Sequence, residues 1–515
     1  CDGYQAPSRA DGLTTATWLY GLASTTADQR RSETELGAAG VAACNAALAD
    51  PLLKPAFTMR RAHLLQSKAM HLIAQGNFGD AIASLNESDA AGRAEPLFNG
   101  SLGQGNRALR ATALFGLGKS NEAEAALSEL ERLRPYAVSL QILAASVRMQ
   151  FEDDRAKQIA ILEREAAVLP DARHRLFWLA MMYDDYASAL RLAPGVRFDV
   201  PRDRIGWTTE NGDIEKYRLI KDKAEFAGAL AFAQLASGQG EAAAATIRGI
   251  RDAIADWVRP PPPPPQGQSL RKSEVRDFEA RKTSGAAARA ALAPWESALA
   301  LHVEAKGKSI AEIDRLVSDR KPTVFAISSL VASAAAPQPT DTANIQAVLK
   351  ELEASKDAAR LKQDKIGFKD LVKLLPRPET PAMQPKMQTE GAGIMRSDLN
   401  GYGVRNNEEP GSFTVRFGTA TGSMAMADEA ALLAAANHAV KLGNDSFFVD
   451  TRQSIQRTTQ IVGMYGGGPT VPSGYEVRLC VRPMNAAAVP ADQRGKLVNA
   501  AAVIDALSNK FPAAR

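Results

Sequence analysis

Cysteine and histidine are scarce in this 515-residue chain, with three and five residues respectively, and that scarcity bounds its chemistry. No cysteines or histidines stand at the spacing of a zinc site and no His-Glu-x-x-His segment occurs, so neither a metal nor a cofactor is expected. Aromatics make up only 6%, too few for a sandwich of strands, where aromatic and β-branched residues dominate. No apolar run approaches the roughly 18 residues needed to cross a bilayer as a helix. A dominant charge is missing too: 62 basic against 58 acidic residues leave a formal +4, without the one-sided field that marks nucleic-acid binding. Nucleic acid is therefore not an expected partner.

What is present is alanine. Stretches such as Gly240-Glu241-Ala242-Ala243-Ala244-Ala245-Thr246 favour closely packed helices. With 45% apolar and 23% charged residues the composition is that of a globular protein. Its length corresponds to about three ordinary domains. Charge-rich runs such as Arg271-Lys272-Ser273-Glu274-Val275-Arg276-Asp277 mix signs and read as a solvated helix face. The expected fold class is mainly α, a helical-repeat solenoid, with a small C-terminal α+β domain.

Helical punctuation runs through residues 13–259. Leu65, Ala69, Leu72, Gly76, Phe78, Ala81 and Leu85 form one packing pattern, and Ala111, Leu114, Gly118, Ala123, Leu127 and Pro135 repeat it. Small residues let two antiparallel helices approach, and glycine permits the tight turn between them. The pattern resembles tetratricopeptide repeats, with an insertion near Gly92 to Gly105 and degenerate units near Leu140 to Pro170 and Phe226 to Ile250. That resemblance implies a concave groove lined by His63, Gln66, Met70 and Ile73, then Ala108, Thr112 and Phe115. Apolar Met70, Ile73 and Phe115 on that row suit either a peptide groove or packing against the next repeat. Between the third and fourth units, Pro194 to Pro201 and Gly206-Trp207-Thr208-Thr209 mark a long connection.

The prolines Pro260 to Pro265 predict an extended rod, read as a rigid spacer over residues 260–268 in preference to a docking motif. Residues 269–375 read as a further helical region, and 376–393 as a second, Pro-rich linker. From 394 to 515 the pattern alternates. Strands are expected at Ser412 to Phe417, Ser446 to Val449, Gln453 to Met464 and Tyr475 to Val481, with helices at Met424 to Leu442 and Lys496 to Phe511.

No Gly-x-Ser-x-Gly elbow marks a nucleophile. Gly116-Leu117-Gly118-Lys119-Ser120 lacks the upstream glycine of a phosphate loop and reads as a repeat turn, and Ser423 reads as a helix cap rather than part of an anion site. No catalytic residues are assigned. Cys44 and Cys480, in apolar surroundings, read as buried thiols, with a disulfide between them as the alternative outside the cytoplasm.

Cys1-Asp2-Gly3-Tyr4, followed by Pro7 and Ser8, resembles the start of a mature bacterial lipoprotein. The resemblance implies acyl groups on Cys1, with residues 1–12 as a tether. Gly401-Tyr402-Gly403, Phe417-Gly418, the helix Ala430 to Ala436, Gly443 and Phe447-Phe448-Val449 resemble a small module of bacterial envelope lipoproteins. Together these imply a lipid-anchored envelope scaffold whose partners are membrane lipid and another envelope protein, with the outer membrane favoured over the inner. Asp2 also resembles an inner-membrane retention signal in some bacteria. The alternative is a glycan- or peptidoglycan-binding lipoprotein acting through the C-terminal domain.

Overall fold

The computed structural model describes the chain apart from 4–6, 8–10, 14–15, 19–22, 26–35, 153, 169, 197, 199–209, 265–268, 333–342, 365–366, 390–400, 408–410, 421, 464–465, 491–496 and 512–515. The connection around Trp207 lies outside the described residues. Two compact units form: Cys1–Leu169 together with Asp364–Arg515, and Pro170–Gln363. The fold is mainly helical with a small C-terminal α+β layer.

The first unit opens with a short hairpin, β1 (Ala16–Trp18) and β2 (Ala23–Thr25), and α1 (Ala38–Ala49). Three helical hairpins follow: α2 (Thr58–Ala74) with α3 (Phe78–Gly92), α4 (Leu102–Gly116) with α5 (Ser120–Leu133), and α6 (Val138–Phe151) with α7 (Arg155–Val168). Gly76 and Gly118 turn the chain at φ 76° and 74°, a region open to glycine at little cost. Ala69, Ala81, Ala111 and Ala123 are all fully buried, as the close approach of paired helices requires. The insertion between the first two hairpins is a turn that drives Phe98 into the interior, where its ring lies against Gly92.

The second unit holds α8 (Pro170–Met182), α9 (Tyr186–Leu192), α10 (Glu210–Ala236), α11 (Gly240–Trp257), α12 (Lys272–Glu304), α13 (Ile310–Arg320), α14 (Ile327–Ala332) and α15 (Ala343–Asp364). Its centre is aromatic. Trp295 stacks on Phe325 at 5.7 Å and lies over Gly228, while Phe177 meets Phe226 at 4.5 Å. Gly238 repeats the tight turn between α10 and α11.

The chain then returns to the first unit through α16 (Phe368–Leu374), β3 (Gly401–Asn406), β4 (Phe413–Thr419), α17 (Met424–Lys441), β5 (Ser446–Gly463), β6 (Gly466–Met484), β7 (Val498–Asn499) and α18 (Ala500–Leu507). The sheet is antiparallel in the order β3-β4-β6-β5-β7, and α17 and α18 share its core. The two strands expected at 446–449 and 453–464 form one, because a register shift around Asp450 lets the strand continue past an acidic residue. Asp450 turns to Arg482, which grips it with two bonds of 2.9 and 3.0 Å.

Three expected boundaries move. The helical stretch 13–259 is divided, with everything from Pro170 onward in the second unit. Residues 260–268 join α11 to α12 within that unit, so the proline run separates no domains. The described part of the expected second linker, 376–389, packs into the first unit instead: Glu379 is buried and Tyr402 N–H donates to the Gln388 carbonyl.

Enlarging a small residue inside a hairpin should force the helices apart. We expect Ala111→Leu to lower stability by about 1–3 kcal/mol, read as a shifted urea midpoint. An unchanged midpoint would mean α4 and α5 are not closely packed there.

Candidate functional site: a covered repeat face and its open edge

The row of positions expected to line a groove lies on α2 and α4. His63, Gln66 and Ala108 are fully buried, Met70, Ile73 and Thr112 nearly so, and only Phe115 is half-exposed. Most of this row is thus a packing face. Gln66 Nε2 donates to the Leu102 carbonyl at 2.9 Å and to Asn106 Oδ1 at 3.0 Å, joining the two hairpins. Thr112 Oγ1 donates to the Ala108 carbonyl one turn back.

Two segments from outside the repeats cover this face. The first is the N-terminal stretch. Asp2 is buried, with its carboxylate 3.2 Å from Arg60 and 3.0 Å from His63 Nδ1. His71 reaches the Cys1 carbonyl through Nε2 at 3.0 Å and lies 3.4 Å from the Gly37 N–H through Nδ1. Both bonds fit a neutral ring carrying its proton on Nε2. Residues 1–3 are therefore seated rather than extended as a free tether. Cys1 Sγ is bonded to Cys44 Sγ in a disulfide, whereas Cys480 is a buried thiol 3.4 Å from Thr414 Oγ1. The expected alternative pairing of Cys44 with Cys480 is not formed. Thioether and disulfide exclude each other at one sulfur, so an acylated Cys1 would leave Cys44 as a thiol.

The second cover comes from the C-terminal part of the unit. Leu371, Val372 and Leu375 join the same core as Met70, Ile73 and Ala108, with α16 packed on α6. Next to them the chain buries charge. Arg134 follows α5 and precedes Pro135, which keeps its backbone out of the helical region (φ −139°, ψ 68°). Its guanidinium donates to Glu429 on α17 at 2.9 and 2.7 Å, and to both oxygens of Glu379 at 3.1 Å. Ser423 Oγ donates to Glu379 and accepts the Met426 N–H, while Lys510 pairs with Glu429. Burial opposes every charge here, yet the two carboxylates hold Arg134 above its usual value. Arg134 and Lys510 in turn keep Glu429 below the usual glutamate range. Its neighbour Asp428 goes the other way: burial raises it despite Arg452 and the Ser139 N–H.

One end of the face stays open. Phe115 stacks on Phe151 at 5.0 Å, Phe78 lies against Gly116, and Leu117 follows at the end of α4. Phe151 is 39% and Leu117 46% exposed. Phe78 and Phe115 pack against the buried core, and Phe151 extends it outward through its stacking on Phe115. Leu117 and Phe151 were not singled out by sequence, since one follows a helix end and the other closes α6 without repeating the pattern.

Other candidates resolve locally. Ser423 caps α17 by accepting the Met426 N–H at 3.2 Å. Gly118 is the repeat turn, and among the described residues no cluster of three or more His, Cys, Asp or Glu could hold a metal. Compared with known protein families, curated proteins and solved structures, the chain matches none.

Removing Arg134 leaves buried Glu379 without its cation and Glu429 with Lys510 alone. Arg134→Ala should cost about 3–5 kcal/mol, measured by urea unfolding, and a loss below about 1 kcal/mol would refute the buried joint. A second outcome concerns pH. Burial lowers His71 from its ordinary 6.5 despite the Cys1 carbonyl, so the unfolded state takes up its proton first as pH falls. Stability contributed by the neutral ring is complete above about pH 6.5 and is lost on acidification, with His302 and His438 shifted in the same direction by burial. Melting curves between about pH 7 and 5 should shift downward, and His71→Gln should flatten that dependence. An identical slope in the variant would assign the effect elsewhere.

Proposed function

We propose that this chain is a protein-binding scaffold of the bacterial cell envelope, an accessory subunit whose helical-repeat face grips another envelope protein at the outer membrane. The supporting observation is the α2–α4–α6 face. It buries polypeptide from elsewhere in its own chain and runs out at Phe115, Phe151 and Leu117 into exposed apolar surface. A surface of that kind takes up an apolar side of a partner, with affinity concentrated in aromatic anchors. No catalytic step belongs to this reading.

Membrane anchorage through acyl groups on Cys1 completes the reading in chains where the Cys1–Cys44 bond is absent. Several acyl chains on one cysteine would anchor stably, at about 0.8 kcal/mol per buried methylene. Because Asp2 is held by Arg60 and His63, the lipid would leave directly from the α1–α2 surface.

A photo-cross-linking residue at Leu117 in the native cells should capture one reproducible envelope protein, and Phe151→Asp should abolish the adduct. Purification from membranes without any stoichiometric companion, and without an adduct, would remove the scaffold reading. Mass spectrometry of the N-terminal peptide tests the anchor separately. Acylated Cys1 supports it, while a peptide joined through Cys1 and Cys44 discards the anchor and leaves the scaffold standing.

A further inference from the structure

The proline run separates nothing. The helix before it, α11, and the helix after it, α12, both pack on α10 in one unit. Packed helices are ordinarily joined by roughly 2–8 residues, whereas this connection runs from Val258 to Arg271. Neither chain closure nor spacing therefore accounts for a stiff rod at this place.

Its base is fixed to α12. The Arg281 guanidinium donates to the carbonyls of Trp257 and Arg259, each at 3.1 Å, and is itself held by Asp277 at 2.8 Å. The Trp257 indole N–H donates to Ser284 Oγ at 2.9 Å, and Val258 fits over Gly285, where any Cβ would come within 2.2 Å of it. From this base the described prolines alternate in a particular way: Pro260, Pro262 and Pro263 are exposed, while Pro261 and Pro264 are half-buried. A spacing of three is the repeat of a polyproline II helix, which has three residues per turn and about 3.1 Å rise. One edge of the rod is seated and two faces are presented. Consecutive prolines offer ring surface and accepting carbonyls but no N–H donors.

We propose that Pro260–Pro264 is a presented ligand for a protein module with an aromatic-lined groove, and that exposed Arg259 meets acidic side chains on that groove's rim. Flat aromatic rings stack on pyrrolidine faces, and their indole or phenol donors satisfy the outward carbonyls. The rod is already stiff and its base already fastened, so docking orders little that was free. Arg259 stands exposed at the foot of the rod, where it pairs with Asp256, so a partner's acidic rim would compete with that carboxylate for the guanidinium. This inference goes beyond the scaffold reading and is independent of the α2–α4 face.

The test uses the full chain and two isolated probes, an SH3 domain and a WW domain selected for proline-rich ligands, each labelled for NMR. Shift changes confined to the aromatic groove of at least one probe are expected. The exposed-face variant Pro262→Ala with Pro263→Ala should weaken that binding about tenfold, with an unchanged melting midpoint showing that the unit remains folded. Arg259→Glu should weaken it further through its charge. Absence of binding by both probes, or equal binding of the double variant, would overturn the proposal.

Discussion

The buried meeting of Arg134 with Glu379 and Glu429 is the constraint on which the first unit depends. Its three members come from the end of a repeat hairpin, from a Pro-rich stretch and from a helix laid on a sheet. Burying charge is costly, and these charges are tolerated because guanidinium and carboxylates satisfy one another with paired hydrogen bonds. Such a joint is geometrically demanding, since small displacements leave an uncompensated ion in a dry interior. It thereby sets the register of repeats against α17, with Asp428, which accepts the Ser139 N–H from α6, adding a second point on the same helix.

That joint explains why the repeat face is covered. Once Glu379 is drawn to Arg134, the preceding segment, α16, is brought onto α6, where Leu371, Val372 and Leu375 complete the core. The N-terminal stretch closes the opposite part of the face through Asp2 and the Cys1 carbonyl. A row with apolar Met70 and Ile73 then serves cohesion within the chain, and the surface open to others shrinks to the aromatic end. The start of the proline run in the second unit obeys a related logic, because Arg281 and Ser284 of α12 hold the Trp257 to Arg259 segment from which it leaves.

Periodicity was legible wherever helices pack on near neighbours. Gly76, Gly118 and Gly238 mark tight turns, and Ala69, Ala81, Ala111 and Ala123 mark close helix pairs, because those roles arise within a few dozen residues of chain. The C-terminal strands and the alanine-rich helix were readable for the same reason. The site was less legible. Phe115 appeared in the pattern, but its stacking partner Phe151 sits on the next hairpin and carries no repeat signature. Glu379 looked like part of a linker, since prolines flank it and its ion-pair partner lies 245 positions away.

The sequence by itself determined the helical class, the hairpin turns, the small-residue contacts and the α+β tail, all of which follow from local conformational preference and side-chain size. Only the tertiary structure decided which residues cover the repeat face, where the chain divides into units, and which cysteine pairs with Cys44. Those outcomes depend on distance in space between residues far apart along the chain. A burial that looks unfavourable for each charged group alone becomes acceptable once its partners arrive together.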